Sequence, residues 1–200
     1  PPLQDYYGQR GEDALLDEFF GRKREGFFVD IGAFDGVHLS NSYFFERCGW
    51  SGICVEASPQ YYELCATNRP RTRCVLSACG AHNGKATFRI ERGGLFSGLQ
   101  PDEIQAAKTF EQWGVFFEGF QDFETQTISL DVLLSDHVGP IDFISIDVSG
   151  SEIGVLNGFD FSRHRPRVFL VDANSGEKKE SLDTCLLQNG YRHARTINTT

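Results

Sequence analysis

The stretch FFVDIGAFDG, residues 27–36, decides the fold. Its apolar run is broken only by Asp30, which marks a strand covered on both faces, and such strands belong to parallel sheets flanked by helices. Gly32 and Gly36 follow at once. Glycine lets the backbone turn sharply and approach a neighbour that a side chain would push away, so the pair predicts a tight strand-to-helix turn with a ligand lying against it.

On the N-terminal side, Leu15, Leu16, Phe19 and Phe20 are spaced as one face of an amphipathic helix, Glu12 to Phe20, that covers the sheet. On the other side, SNSYFFERC (40–48) reads as a helix and GICVE (52–56) as a second buried strand ending in Glu56. Ser58 followed by Pro59 is a cap with a first-turn proline for a helix over PQYYELCATN (59–68). RCVLSA (73–78) is the third strand. This rhythm predicts a doubly wound α/β domain with a mostly parallel sheet. Asn83-Gly84 then signals a hairpin into ATFRI (86–90). Residues 93–127 are glycine- and phenylalanine-rich, with a helix at PDEIQAAKTFEQW (101–113), and read as a lid or substrate insertion. LDVLLSD (130–136) resumes as a short helix and IDFISID (141–147) as a fourth buried strand. A helix at SEIGVLNGF (151–159), the strand RVFLV (167–171), a helix at SLDTCLLQN (181–189) and a closing strand YRHARTI (191–197) complete the order.

The totals fit one domain: 200 residues, 40% hydrophobic and 24% charged. A net charge of -9 argues against nucleic acid as the main partner, since that binding needs a basic surface. No apolar run reaches the roughly 18–20 residues that span a bilayer. Cys48, Cys54, Cys65, Cys74, Cys79 and Cys185 form no CxxC pair and have no zinc spacing, so they read as reduced thiols of a cytoplasmic protein without a metal site. The opening Pro1-Pro2 and the absence of methionine suit an excised or processed fragment.

In an open parallel sheet, ligands bind beyond the carboxyl ends of the strands, where strand order reverses. A dinucleotide fingerprint would need GxGxxG, which this turn lacks, and that argues against a nicotinamide-dependent oxidoreductase. Asp30 and Asp35 around the turn suit a cationic ligand instead. S-adenosylmethionine (SAM) has a sulfonium and an ammonium and no phosphate. Asp30 can fix its amino-acid end while Gly32, Ala33 and Gly36 let it approach. Glu56, with Ala57 beside it, can accept the ribose hydroxyls, and Ser77 and Ala78 can flank the adenine.

The segments GEDALLDEFF (11–20), GFFVDIGAFDGVHLSNSYFFERCGWSGICVEASP (26–59), NGKATF (83–88), IDFISIDVSGSEIGVLNGFDF (141–161) and RPRVFLVDAN (165–174) together resemble the FkbM-type methyltransferases over nearly the whole chain. The resemblance implies a class I SAM-dependent fold and O-methylation of hydroxyls on a sugar, glycan or natural product. It matches Asp30, Gly32, Asp35, Gly36 and Glu56 to cofactor positions and Ser40-Asn41 to a polar pair at the first helix start. It also implies Asp-Val-Glu-Gly-Ala-Glu where this chain has Asp147-Val148-Ser149-Gly150-Ser151-Glu152. Ser149 therefore replaces a carboxylate, which keeps open a second reading: a catalytically impaired SAM-binding or protein-interaction module. A further edge strand is expected beyond Thr200, and without it the sheet margin is open to a second copy in a homodimer.

A hydroxyl nucleophile calls for a base, and the candidates are Asp147, at the fourth strand's end, and His38, just after the turn. Asp147 reads equally as a helix cap, and His38 as a plain first-turn residue. Phe96, Trp113, Phe116, Phe117 and Phe120 read either as a wall of the acceptor pocket or as a satellite cluster.

Overall fold

A computed structural model describes residues 5–94, 96–173 and 177–197. Five strands form the central, all-parallel sheet: β1 (Phe27–Ile31), β2 (Ser51–Glu56), β3 (Arg73–Leu76), β7 (Phe143–Ile146) and β8 (Val168–Val171), in the order β3-β2-β1-β7-β8. The chain runs outward from β1 to β3 and then returns to lay β7 against β1. Strand order therefore reverses between β1 and β7, and the crevice at their carboxyl ends is where this architecture takes ligands.

Alternation along β1 explains both cores. Phe28 packs with Phe45, Trp50 and Phe143 on one face, beside Leu16 and Phe20 of α1 (Glu12–Phe19) and its end. Val29 and Ile31 pack with Ile53, Ile144 and Ile146 on the other. Asp30 shares the Phe28 face, in register with Cys54 of β2 and Ser145 of β7. That face is covered by α2 (Tyr43–Arg47), which supplies Phe44 and Phe45. Ser58 precedes α3 (Pro59–Asn68), as the cap-proline signal predicts.

A second sheet sits beside the first. It holds β4 (Ala78–Cys79), β5 (Gly84–Ile90) and β6 (Gln121–Ile128) in the order β4-β6-β5, with α4 (Glu103–Gln112) between β5 and β6 in sequence. The short helix α5 (Leu130–Leu133) leads on to β7, α6 (Glu152–Asn157) follows β7, and α7 (Glu177–Gln188) follows β8.

Four sequence expectations are corrected. Asn83-Gly84 is no hairpin turn, because β6 lies between β4 and β5, and the Asn83 side chain instead accepts a hydrogen bond from the Ser129 N–H at 2.9 Å. The 93–127 stretch, read as an insertion with one helix, also holds most of β6, whose half-polar alternation suits a sheet with one wet face. Residues 191–197 form no strand: Gly190, at φ 81°, ends α7, and Tyr191 is held by Phe169 and by the Pro166 carbonyl at 2.9 Å. Phe19 is exposed and lies beside Arg167 instead of facing the sheet with Leu16 and Phe20. All six cysteines are free thiols, and no described helix is long and apolar enough to cross a membrane.

Candidate functional site

A cleft opens at the carboxyl ends of β1, β2 and β7. Of the residues singled out in the sequence, Asp30, Gly32, Ala33, His38, Ser40, Asn41, Glu56, Ala57, Ser77, Ala78 and Asp147 all line it. Asp35 and Gly36 lie outside the lining. The Asp35 carboxylate accepts the N–H groups of Val37 and His38 at 2.9 and 2.7 Å, which shapes the loop. Gly36 faces α3, where an added Cβ would stand 2.7 Å from the Arg69 side chain and 3.0 Å from the Cys65 sulfur.

Gly32 has a purpose the sequence did not suggest. At φ 83°, a Cβ there would lie 1.8 Å from the Asp147 carbonyl oxygen. The close neighbour is therefore the backbone at the end of β7, and glycine is what lets the β1 and β7 ends converge.

The three acids in the cleft sit in different surroundings. Asp30 is buried, and its Oδ2 accepts the Ser42 hydroxyl at 2.5 Å. Burial raises its pKa, while the Ser42 hydrogen bond and the Arg69 charge pull it back. Glu56 is 8% exposed, and each of its oxygens takes one backbone N–H, from Phe34 at 2.9 Å and Ser58 at 2.7 Å. Burial pushes its pKa up to about 7 against those bonds. Asp147 is open to solvent inside the cleft, but the fold crowds it. Desolvation first, then the charges of Asp172, Glu152 and Asp30, push it up to about 8, with Arg10 pulling the other way.

Around these acids lie residues that sequence reading passed over. The Phe34 ring packs on Tyr61, with centroids 4.2 Å apart. Tyr61 donates to the Gly93 carbonyl at 2.9 Å, and a Cβ on Gly94 would stand 2.2 Å from its ring. This brings the start of the 93–127 segment over the cleft, with Ser97 and Leu99 in its lining. The aromatic group of that segment is elsewhere: Phe96, Phe110, Trp113, Phe117 and Phe120 pack on one another, and Phe116 is 84% exposed. Phe34, Phe88 and Leu99 provide the apolar wall instead. Ser149, at φ 50°, lines the cleft, and Glu152 turns back to accept the Gly150 N–H at 2.8 Å. His38 is exposed at the rim, its ring 6.5 Å from that of Phe34.

Two lining atoms are buried polar groups without a hydrogen-bond partner among the described residues: Asn41 Oδ1 and Ser151 Oγ. Asn41 Nδ2 is engaged by Ser145 Oγ at 3.1 Å. Buried groups left so are rare in finished structures, and they fit a polar ligand. Glu56 has the same capacity, since each carboxylate oxygen with one N–H keeps a lone pair for a hydroxyl. Acids, unpaired acceptors and an apolar wall fit an adenosine with a cationic end. A second cleft adjoins the first and shares Leu39, Asn41, Ser145 and Asp147 with it.

No curated protein and no solved structure matches the chain with significance. The sequence-family model described as "Methyltransferase FkbM domain" matches residues 30–193, a span that holds every strand from β2 to β8, the end of β1 and all the acids of the cleft. With most of its length covered by that match, the chain belongs to the FkbM methyltransferase family.

Proposed function

We propose that the protein is a SAM-dependent O-methyltransferase whose acceptor is a hydroxyl on a sugar, glycan or natural product. The observation that carries this reading is the convergence of Asp30, Glu56 and Ser77-Ala78, from successive strand ends, in one cleft. Asp30 would receive the ammonium end, Glu56 the ribose hydroxyls, and Ser77 and Ala78 the adenine edge. SAM supplies a methyl group on a sulfonium, a leaving group that needs no protonation. The chain's own contribution is alignment, which can supply about 7–11 kcal/mol, and handling of the acceptor proton.

Asp147 is the base in this reading. It stands at the wall between the two clefts, so an acceptor seated in the second one would present its hydroxyl there. A pKa of about 8 leaves a useful ionised fraction at neutral pH and gives a strong driving force for proton transfer. His38, exposed at the rim, is the lesser candidate. The start of the 93–127 segment would serve as a lid, since Gly94, Ser97 and Leu99 already lie over the cleft. We place the protein in the cytoplasm, acting without a metal and as a homodimer.

Ser149 supports a second reading, a module that binds the cofactor without turning over, because it lines the cleft in place of the glutamate typical of the family. Calorimetric titration with S-adenosylhomocysteine (SAH), followed by methyl transfer from labelled SAM across a panel of hydroxyl acceptors, tests both. Binding with transfer supports the enzyme, binding without transfer to any acceptor supports the module, and no binding refutes both.

A further inference from the structure

Arg69 is fully buried at the end of α3, and its side-chain hydrogen bonds run to Glu46 of α2 and to the turn that follows β1. Its Nε donates to Glu46 Oε2 at 2.7 Å. One terminal nitrogen donates to the Gly36 carbonyl at 2.8 Å and to Ser40 Oγ at 3.4 Å, and the other to Ser42 Oγ at 3.0 Å. A guanidinium can only donate. Ser42 Oγ must therefore accept from Arg69, which leaves its own proton for Asp30 Oδ2 at 2.5 Å. The relay has a fixed direction and ends on Asp30 Oδ2 as an acceptor, a role the ionised carboxylate fills best.

An ion pair joining α3 to α2 would need only Glu46. The bonds to Gly36 and Ser42 do something else, holding the turn after β1 and the acid within β1. We propose that Arg69 is a positioning residue of the cofactor cleft: through Ser42 and Gly36 it favours the anionic form of Asp30 against burial and holds the turn in shape, so that Asp30 can receive the ammonium end of the ligand. This rests on the SAM reading above and adds a residue that touches no ligand.

The charged and titratable groups facing Asp30 come from every element around it. Arg69 comes from α3, with Glu46 of α2 behind it, Cys54 and Glu56 come from β2, and Asp147 from the end of β7. Among these Arg69 is the cation. Removing it leaves burial and neighbouring acids to drive Asp30 neutral.

The test is calorimetric binding of SAH and of methylthioadenosine, which lacks the amino-acid end, between pH 5.5 and 8.5. Wild type, Arg69→Met, Ser42→Ala and Asp30→Asn are compared, with folding checked by circular dichroism. The expected result for Arg69→Met is SAH affinity about tenfold weaker at pH 7 that recovers toward pH 8.5, with methylthioadenosine within about twofold of wild type. Asp30→Asn abolishes that pH step, and Arg69→Met added to it restores none. Ser42→Ala cuts the relay but leaves the ion pair, so it carries the same prediction should Arg69→Met not fold. A loss equal at all pH values and for both ligands, or unchanged SAH binding, overturns the role of Arg69. If wild type binds neither ligand, the cofactor reading itself fails and this proposal with it.

Discussion

The two ends of the cleft treat their acids in opposite ways. At the β1 and β2 tips, Asp30 and Glu56 are held by the Ser42 hydroxyl and by the N–H groups of Phe34 and Ser58, and a buried arginine stands behind Ser42. At the β7 tip, the proton of Asp147 is held by desolvation first and then by repulsion from Asp172 and Glu152. The first arrangement costs mobility and gives a fixed geometry, which suits binding. The second raises its acid further, to about 8 against about 7 for Glu56, with three neighbouring acids adding to burial, and suits proton transfer.

The sharpest way to break that contrast is Asp147→Asn. If the β7 tip serves chemistry, methyl transfer falls about 10²–10⁴-fold while SAH affinity stays within about threefold. In the wild type, transfer should rise with pH through about 8, because the base must lose its proton to act. A parallel loss of affinity and rate would merge the two ends into one binding site.

Gly32→Ala attacks the seam between them. A Cβ 1.8 Å from the Asp147 carbonyl, at a left-handed φ, forces the strand ends apart, and denaturant unfolding should show a loss of about 3 kcal/mol. Gly84→Ala probes φ alone, since at φ 147° nothing lies within 4 Å of its added Cβ, and it should cost less.

Glu56→Ala tests the binding end. Loss of a charged acceptor should weaken SAH by about 10–100-fold, corresponding to about 1.5–3 kcal/mol for hydrogen bonds to a charged group, with little effect on the pH dependence of transfer. The remaining effect is on stability against pH. The folded pKa of Glu56, about 7, lies above its unfolded value of about 4.3. Its contribution is complete below pH ~4.3 and lost as pH rises through 7. Thermal midpoints should therefore fall across that window, and Glu56→Gln should flatten the fall.

The strand tips were legible because continuous apolar runs ending in Asp30, Glu56 and Asp147 can be read without knowing their neighbours. What depended on distant neighbours was not. Gly32 was assigned to a ligand because nothing in the sequence shows that the Asp147 carbonyl stands against it. Arg69 was not singled out in the sequence, and only the packing of α3 against the turn reveals it as fully buried. β6 was missed because its alternation is half-polar, and the closing strand was overread because β-compatible residues at 191–197 find no strand to pair with among the described residues. Ser151 carried no signal beyond its place in a motif, and its unpaired hydroxyl emerges only from the fold.

A crystal structure grown with SAH tests the central claim most directly. The account predicts the ribose hydroxyls within hydrogen-bonding distance of the Glu56 carboxylate, the amino-acid end toward Asp30 and the sulfur facing the Asp147 side of the cleft. A nucleoside bound away from Glu56, or a cleft empty of ligand at millimolar SAH, would contradict it.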